Sequence, residues 1–225
     1  WHRRSDAIRG AMSYAVKEIF LTLQGEGVHA GRRAVFVRFT GCNLWSGLER
    51  DRAKAICQFC DTDFVGMDGE GGGRFATADN LVKAVAETWG SDRDSRFVVL
   101  TGGEPMLQVD EALIDALHAE GFFIAIESNG TLVVPRTIDW ICISPKAQSD
   151  TVQRSGDELK LVWPQDDSNW QAMQSWDFSN LLLQPKDAIA DPAASQANLE
   201  QAIAFVQAHP KWRLSLQNHK ILGLA

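Results

Sequence analysis

The sequence predicts an α/β protein, an incomplete and helix-poor parallel (β/α) barrel of about six strands. Three observations carry that prediction. Short apolar runs rich in Val, Ile, Leu and Phe recur along the chain; nearly every run stops at a small polar, Gly or Pro cluster; and between some of them the period changes to that of a helix. Continuous apolar runs of this kind suit parallel strands covered on both faces.

The runs, in order, are Ala34 to Thr40, Phe97 to Thr101, Phe122 to Ile126, Trp140 to Ile143, Glu158 to Trp163, Leu181 to Leu183 and Arg213 to Leu216. Helical stripes follow from Leu81, Val82, Val85, Ala86 and Trp89, with Thr77 or Asp79 as cap, and from Leu113, Ile114 and Leu117, begun near Asp110. A third stripe joins Leu199, Ala202, Ile203 and Val206 and stops at Pro210. The segments 129–139 and 147–157 carry no stripe, so those crossovers are expected to be short or non-helical. The strand and helix counts fall short of a closed eight-stranded barrel, and a flavodoxin-like open sheet is the alternative. In either arrangement function sits at the carboxyl ends of the strands, where this chain places its polar clusters.

A chain of 225 residues suits one hydrophobic core, so residues 14–225 are read as a single domain and residues 1–13 as an extension outside it. The net charge of -7 and the absence of a Lys/Arg run argue against a nucleic-acid partner. No apolar stretch approaches the roughly 20 residues of a membrane span, and Trp1 to Ala11 lacks the apolar segment of a signal peptide. A cytoplasmic protein is the expectation.

In a reducing compartment four cysteines point to metal binding, redox chemistry or burial rather than disulfides. Cys142, inside an apolar run, reads as a small buried hydrophobe. Cys42, Cys57 and Cys60 are clustered, with 14 residues between the first two and 2 between the last two. The triplet alone admits three readings. Three thiolates can bind three irons of a cubane cluster, leaving the fourth iron without a protein ligand; a closed zinc site needs a fourth ligand, such as Cys142 or His29; or the thiols are unrelated.

Gly102-Gly103-Glu104-Pro105 follows the run ending at Thr101, and together with the cysteines it resembles the pattern of radical S-adenosylmethionine (radical SAM) enzymes. Those enzymes usually space their cysteines by three and two residues. The longer first spacing resembles a variant among the 7-carboxy-7-deazaguanine synthases. The likeness runs from about Tyr14 to the C-terminus, through Phe20 to Gly27, Val37 to Leu44, Phe59 to Thr62, Thr101 to Pro105, Ser144 to Lys146 and Gln217 to Lys220. The insertion Leu44 to Ile56 is expected to form a solvated helical turn whose charges are not needed for function.

The resemblance implies a 4Fe-4S cluster on Cys42, Cys57 and Cys60, with S-adenosylmethionine on its open iron, and a radical ring contraction. In that reaction 6-carboxy-5,6,7,8-tetrahydropterin becomes 7-carboxy-7-deazaguanine with loss of ammonia, in queuosine and 7-deazapurine biosynthesis. It implies that Arg38 clamps the substrate carboxylate, as a planar bidentate donor can, and that Leu23, Gln24, Gly25 and Thr101 contact the pterin; convergence of the strand ends adds His219, for which a structural histidine is the plainer alternative. Thr62 is expected to ligate Mg2+ beside that carboxylate, with Asp61 or Asp63 assisting; a salt bridge for Arg38 and a turn cap for Asp61 to Asp63 are the plainer alternatives. The cofactor pocket is expected to draw on Phe59, Cys60, Asp61, Gly102, Gly103, Glu104, Ser128, Ser144, Pro145, Lys146, Gln184, Pro185, Lys186 and Asp187. Glycines there admit close backbone approach, and the Glu104 carboxylate and the exposed strand-end carbonyls are expected to accept from the cofactor's ammonium. The same likeness implies a homodimer and an electron donor such as flavodoxin or ferredoxin. Competing functions are a radical activase acting on a protein partner and a zinc-stabilised binding module.

Overall fold

A computed structural model describes residues 13–188 and 191–224. Of the expected extension over 1–13, all but Ser13 lies outside the described residues. The strands are β1 (Tyr14–Leu23), β2 (Arg33–Phe39), β3 (Gly73–Phe75), β4 (Phe97–Gly102), β5 (Phe123–Ser128), β6 (Trp140–Ile143), β7 (Ser155–Trp163), β8 (Asp177–Pro185) and β9 (Trp212–Leu214). Helices are α1 (Ala78–Trp89), α2 (Glu111–Ala119), α3 (Trp170–Met173), α4 (Pro192–Ala208) and α5 (Asn218–Leu222).

One sheet of nine strands runs in the order β3-β1-β2-β4-β5-β6-β7-β8-β9. β2 and β4 through β9 are parallel, while β1 is antiparallel to both β2 and β3. From β4 to β9 the order never reverses, so the sheet winds one way like a barrel and lacks the switch point of a flavodoxin-like sheet. β3 and β9 remain its two edges, so the barrel is not closed.

Each of the seven apolar runs contributes to a strand, and the excess over about six comes chiefly from β1 and β3. β1 escaped the apolar-run pattern because Lys17, Glu18 and Thr22 interrupt it, and β3 is 3 residues long. The caps of the first two helices fall where expected: the Thr77 hydroxyl accepts from the Asn80 amide and the Asp110 carboxylate from the Leu113 amide. The crossovers from β5 to β6 and from β6 to β7 contain no helix, as their missing stripes imply. The stripe on α4 needs correction. Asn198, Ala202 and Phe205 are its buried residues, whereas Ile203 is 39% exposed. Phe205 sets the helix rotation by entering a nest of Trp163, Trp170, His209 and Trp212, with ring centroids at 4.8, 4.9, 4.3 and 6.0 Å.

The connection between β1 and β2 spans the gap that strand pairing leaves. The Gly27 amide donates to the Ser215 hydroxyl at 3.0 Å, the Val28 amide to Glu158 on β7 at 3.0 Å, and the Asn218 amide to the Gly25 carbonyl at 2.9 Å. Gly27, at φ +70, has the Glu158 carboxylate where a Cβ would stand, so glycine is needed for both reasons. Among the described residues no helix is long and apolar enough to cross a membrane.

At the opposite end from the polar clusters, the His29 ring packs edge-on against Phe97, Phe123 and Trp140, the first residues of β4, β5 and β6. Burial, then the neighbouring Arg32 guanidinium, pushes its pKa down, with Asp157 and Glu127 opposing. A histidine held neutral in the fold gives stability that is present above its free pKa of about 6.5 and is lost as pH falls through the lower folded value. Urea unfolding should therefore show lower stability at pH 5 than at pH 7.5, and a His29→Phe variant should flatten that difference.

Candidate active site

The polar clusters at the strand ends converge on two adjoining cavities of about 970 and 1070 Å³, solvent-open mouths included. They share a wall of Glu26, Asp61, Thr62, Glu127, Lys160 and Gln217. Each is large enough for a cofactor or small substrate.

The first cavity is built around Cys42, Cys57 and Cys60. Cys42 follows β2 through Gly41, whose φ of 85 suits glycine, and its sulfur accepts from the Leu44 amide at 3.4 Å. Burial pushes the Cys42 thiol up. Cys57 donates to Cys60, which holds Cys60 below its ordinary value with help from the Thr62 amide and drives Cys57 above it. Trp45 packs edge-on against Phe64, with ring centroids 5.6 Å apart. The insertion supplies more than solvated charge. It does contain a 3-10 turn, Glu49–Lys54, with no buried residue, but Arg52 lies over the Trp45 ring at 4.1 Å and donates to the carbonyls of Gln58 and Cys60 at 2.9 and 3.1 Å. It thereby fixes the backbone that carries two of the thiols.

The residues fit a cluster with an open iron. The three thiols line one wall, and among the described residues no three His, Cys, Asp or Glu side chains are arranged to hold a single ion. In a cubane each iron takes its own thiolate, whereas a closed zinc site gathers four ligands on one point. Neither fourth zinc ligand is in the cavity: Cys142 lies 3.5 Å from Glu158 in the barrel interior, and His29 lies at the far end. Beside Cys42, Gly102 and Gly103 bring the end of β4 so close to the end of β2 that a Cβ on Gly103 would strike the Gly41 carbonyl, with the Cys42 Cβ 2.9 Å away.

Phe59, Asp61, Ser128, Ser144, Lys146, Gln184, Pro185, Lys186 and Asp187 also line this cavity, and Pro145 is buried behind it. Glu104 is placed differently from its expected role. It is 0% exposed and outside the lining; one carboxylate oxygen accepts from the Ser128 hydroxyl at 2.9 Å and the Met106 amide at 3.0 Å, and the other from the Asn129 amide at 2.8 Å. It ties the ends of β4 and β5 together.

Leu23, Gln24, Gly25, Arg38, Thr62, Thr101 and His219 all line the second cavity. Arg38 donates through Nε to Glu18, its cross-strand partner, at 2.6 Å. The salt-bridge alternative is thus realised at a position that still faces the cavity. Asp63 pairs with Lys17 at 2.9 Å and accepts from the Val65 amide, which is the turn-capping alternative, while Asp61 pairs with Lys220 at 2.5 Å.

Sequence reasoning missed the charged floor between the cavities. Lys160, 4% exposed, donates to Glu26 at 2.7 Å and Glu127 at 2.8 Å, and Gln217 donates to the other Glu26 oxygen at 2.9 Å. Burial works to raise the Glu26 pKa, but Lys160 and Gln217 outweigh it and hold the carboxyl at about 2. Glu127 goes the other way, raised by burial and by the charges of Glu158 and Glu26 against the pull of Lys160. The signal was present in β7, where Glu158 and Lys160 alternate with Leu159 and Leu161 in a strand otherwise fit for burial.

The Radical SAM superfamily pattern matches residues 51–150, beginning inside the insertion and past Cys42. Three curated proteins named 7-carboxy-7-deazaguanine synthase, from Caulobacter vibrioides, Bradyrhizobium diazoefficiens and Burkholderia multivorans, are 58%, 57% and 57% identical over 95% of this chain and 100% of their own length. The crystal structure of QueE from Escherichia coli superposes with a TM-score of 0.67 at 26% identity, covering 96% of this chain and 100% of that one. These likenesses set aside the activase and zinc-module alternatives. With three thiols beside a glycine-lined strand end and full-length kinship to those enzymes, the chain belongs to the 7-carboxy-7-deazaguanine synthase family of radical SAM enzymes, whose cofactors are a 4Fe-4S cluster and S-adenosylmethionine.

Proposed function

We propose that the substrate is 6-carboxy-5,6,7,8-tetrahydropterin and the product 7-carboxy-7-deazaguanine, with one ammonia lost. Redox balance is internal to the substrate. The observation that carries this reading is the second cavity, which is lined both by Arg38 from β2 and by Glu26, Glu127 and Lys160, the last three on the wall it shares with the thiol cavity. A small molecule with a carboxylate at one end and an amide and amino edge at the other matches that polarity. Arg38 meets the carboxylate as a charge-assisted donor. Glu127 accepts from the ring N–H and amino group, and Lys160 keeps that carboxylate in place.

Cys42, Cys57 and Cys60 would hold the cluster, which with S-adenosylmethionine would supply a carbon radical able to take one hydrogen from the carbon next to the carboxylate and give it back to the rearranged product. The chain's own residues hold that carbon toward the thiol cavity. Thr62, at the shared wall, is the proposed protein ligand of a Mg2+ ion that otherwise takes oxygens from substrate and water. A homodimer, a cytoplasmic setting and reduction by a flavodoxin- or ferredoxin-like protein complete the reading and rest on the family likeness.

Anaerobic enzyme given reductant, S-adenosylmethionine, Mg2+ and the carboxypterin is expected to release the deazaguanine acid and ammonia in equal amounts; a mass-spectrometric assay showing neither would refute the substrate. Cys60→Ala should abolish turnover and lower the iron content, read by colorimetric iron analysis. Arg38→Ala is expected to raise the KM for the pterin about 10- to 100-fold, the size of one charged hydrogen bond, with a smaller effect on kcat.

A further inference from the structure

The C-terminal segment lies across the site with few apolar anchors. α5 has no buried residue; Ile221 and Leu222 edge a small cavity with Leu23 and Gly31 but remain 70% and 63% exposed. Packing of an amphipathic face, which supplies most helical stability in proteins, is therefore slight here. Polar ties do that work. Two of them, from Gln217 to Glu26 and from the Asn218 amide to the Gly25 carbonyl, reach only the loop after β1. The third is Lys220. Its ammonium stands between Asp61 at 2.5 Å and Asp187 at 2.7 Å.

Those two carboxylates belong to different walls. Asp61 directly follows the thiol of Cys60, and Asp187 follows β8, where the Ser195 hydroxyl of α4 donates to it at 3.1 Å. Asp187 lines the thiol cavity, Lys220 the substrate cavity and Asp61 both. We propose that Lys220 is a positioning residue, a clasp that seats the C-terminal segment and its His219 over the boundary between the two cavities. His219 comes along because it precedes Lys220 on the same short helix, with its ring where a Cβ on Gly25 would stand. The kinetic half of the proposal rests on the pterin reading above; the structural half does not.

All three side chains of the clasp are about one-third exposed, at 36%, 32% and 29%. Pairs at that exposure are individually weak and screened by salt. A clasp of this strength can release and re-form as ligands pass, whereas the buried Lys160 floor cannot.

Hydrogen exchange on the intact protein, wild type against Lys220→Ala and Lys220→Arg, tests the clasp without cofactor or substrate. The amides of Lys220, Ile221, Gly223 and Leu224, which bond back to Gln217, Lys220 and His219, should exchange about 2- to 30-fold faster in Lys220→Ala, as loss of two partly exposed pairs implies. β4 and β5 should be unchanged, and Lys220→Arg should restore much of the protection. Wild-type exchange in the alanine variant, or loosening spread equally through the strands, would overturn the clasp. In turnover, Lys220→Ala should raise the pterin KM more than it lowers kcat and should raise the 5'-deoxyadenosine formed per product; unchanged values for both would overturn the positioning role. If the wild type makes no deazaguanine product, the pterin reading fails while the exchange result still decides the clasp.

Discussion

A buried ammonium placed between a carboxylate from the middle of the open sheet and another on the loop after β1 is the constraint on which the site depends. Lys160 comes from β7 and Glu127 from β5, while Glu26 arrives on the loop after β1, at the other side of the gap. Backbone pairing leaves β3 and β9 unjoined, so this triad, with the Ser215 and Glu158 contacts beside it, holds the loop inside the barrel. Charges at this depth are costly to bury and severe to orphan: removing one partner of a buried pair typically costs about 3–5 kcal/mol. The loop that carries Gln24, Gly25 and Glu26 is thereby held in place, and it forms one wall of the second cavity.

Division of labour in the site follows from that geometry. The parallel strands bring backbone glycines and short polar side chains to their carboxyl ends, where the thiols sit on a loop braced by Arg52. On the proposed function, chemistry is supplied on the thiol side and recognition on the other, and the shared wall of Glu26, Asp61, Thr62, Glu127, Lys160 and Gln217 belongs to both cavities. Glu104, although part of the most recognisable glycine-rich segment, acts one layer back by tying the ends of two strands. Precise placement of reacting atoms depends on such supporting bonds as much as on the groups that touch a ligand.

Much of the parallel sheet was legible because buried strands leave continuous apolar runs, and caps at Thr77 and Asp110 left local signals. β1 was hidden because its charges serve its neighbours: Glu18 pairs with Arg38 and Lys17 with Asp63 and Asp68. The stripe of α4 was legible in Ala202, which is buried, and Val206, which packs against the core, but not in Phe205, which is buried where Ile203 was expected. Thiols and strand-end clusters could be found by spacing and position, since local sequence carries both. The Lys160 triad joins residues up to 134 apart in sequence, and no local pattern reports a contact of that range; only the presence of a lysine in an apolar strand hinted at it.

The triad's role is measurable as an interaction energy. A double-mutant cycle over Glu26→Gln and Lys160→Met, read by denaturant unfolding at neutral pH, isolates the contact from the separate costs of each change. Residues in one buried network are expected to couple by about 1–3 kcal/mol. Additivity of the two substitutions to within about 0.5 kcal/mol would mean that the loop is held by something else, and the account of how this open barrel shapes its site would be wrong.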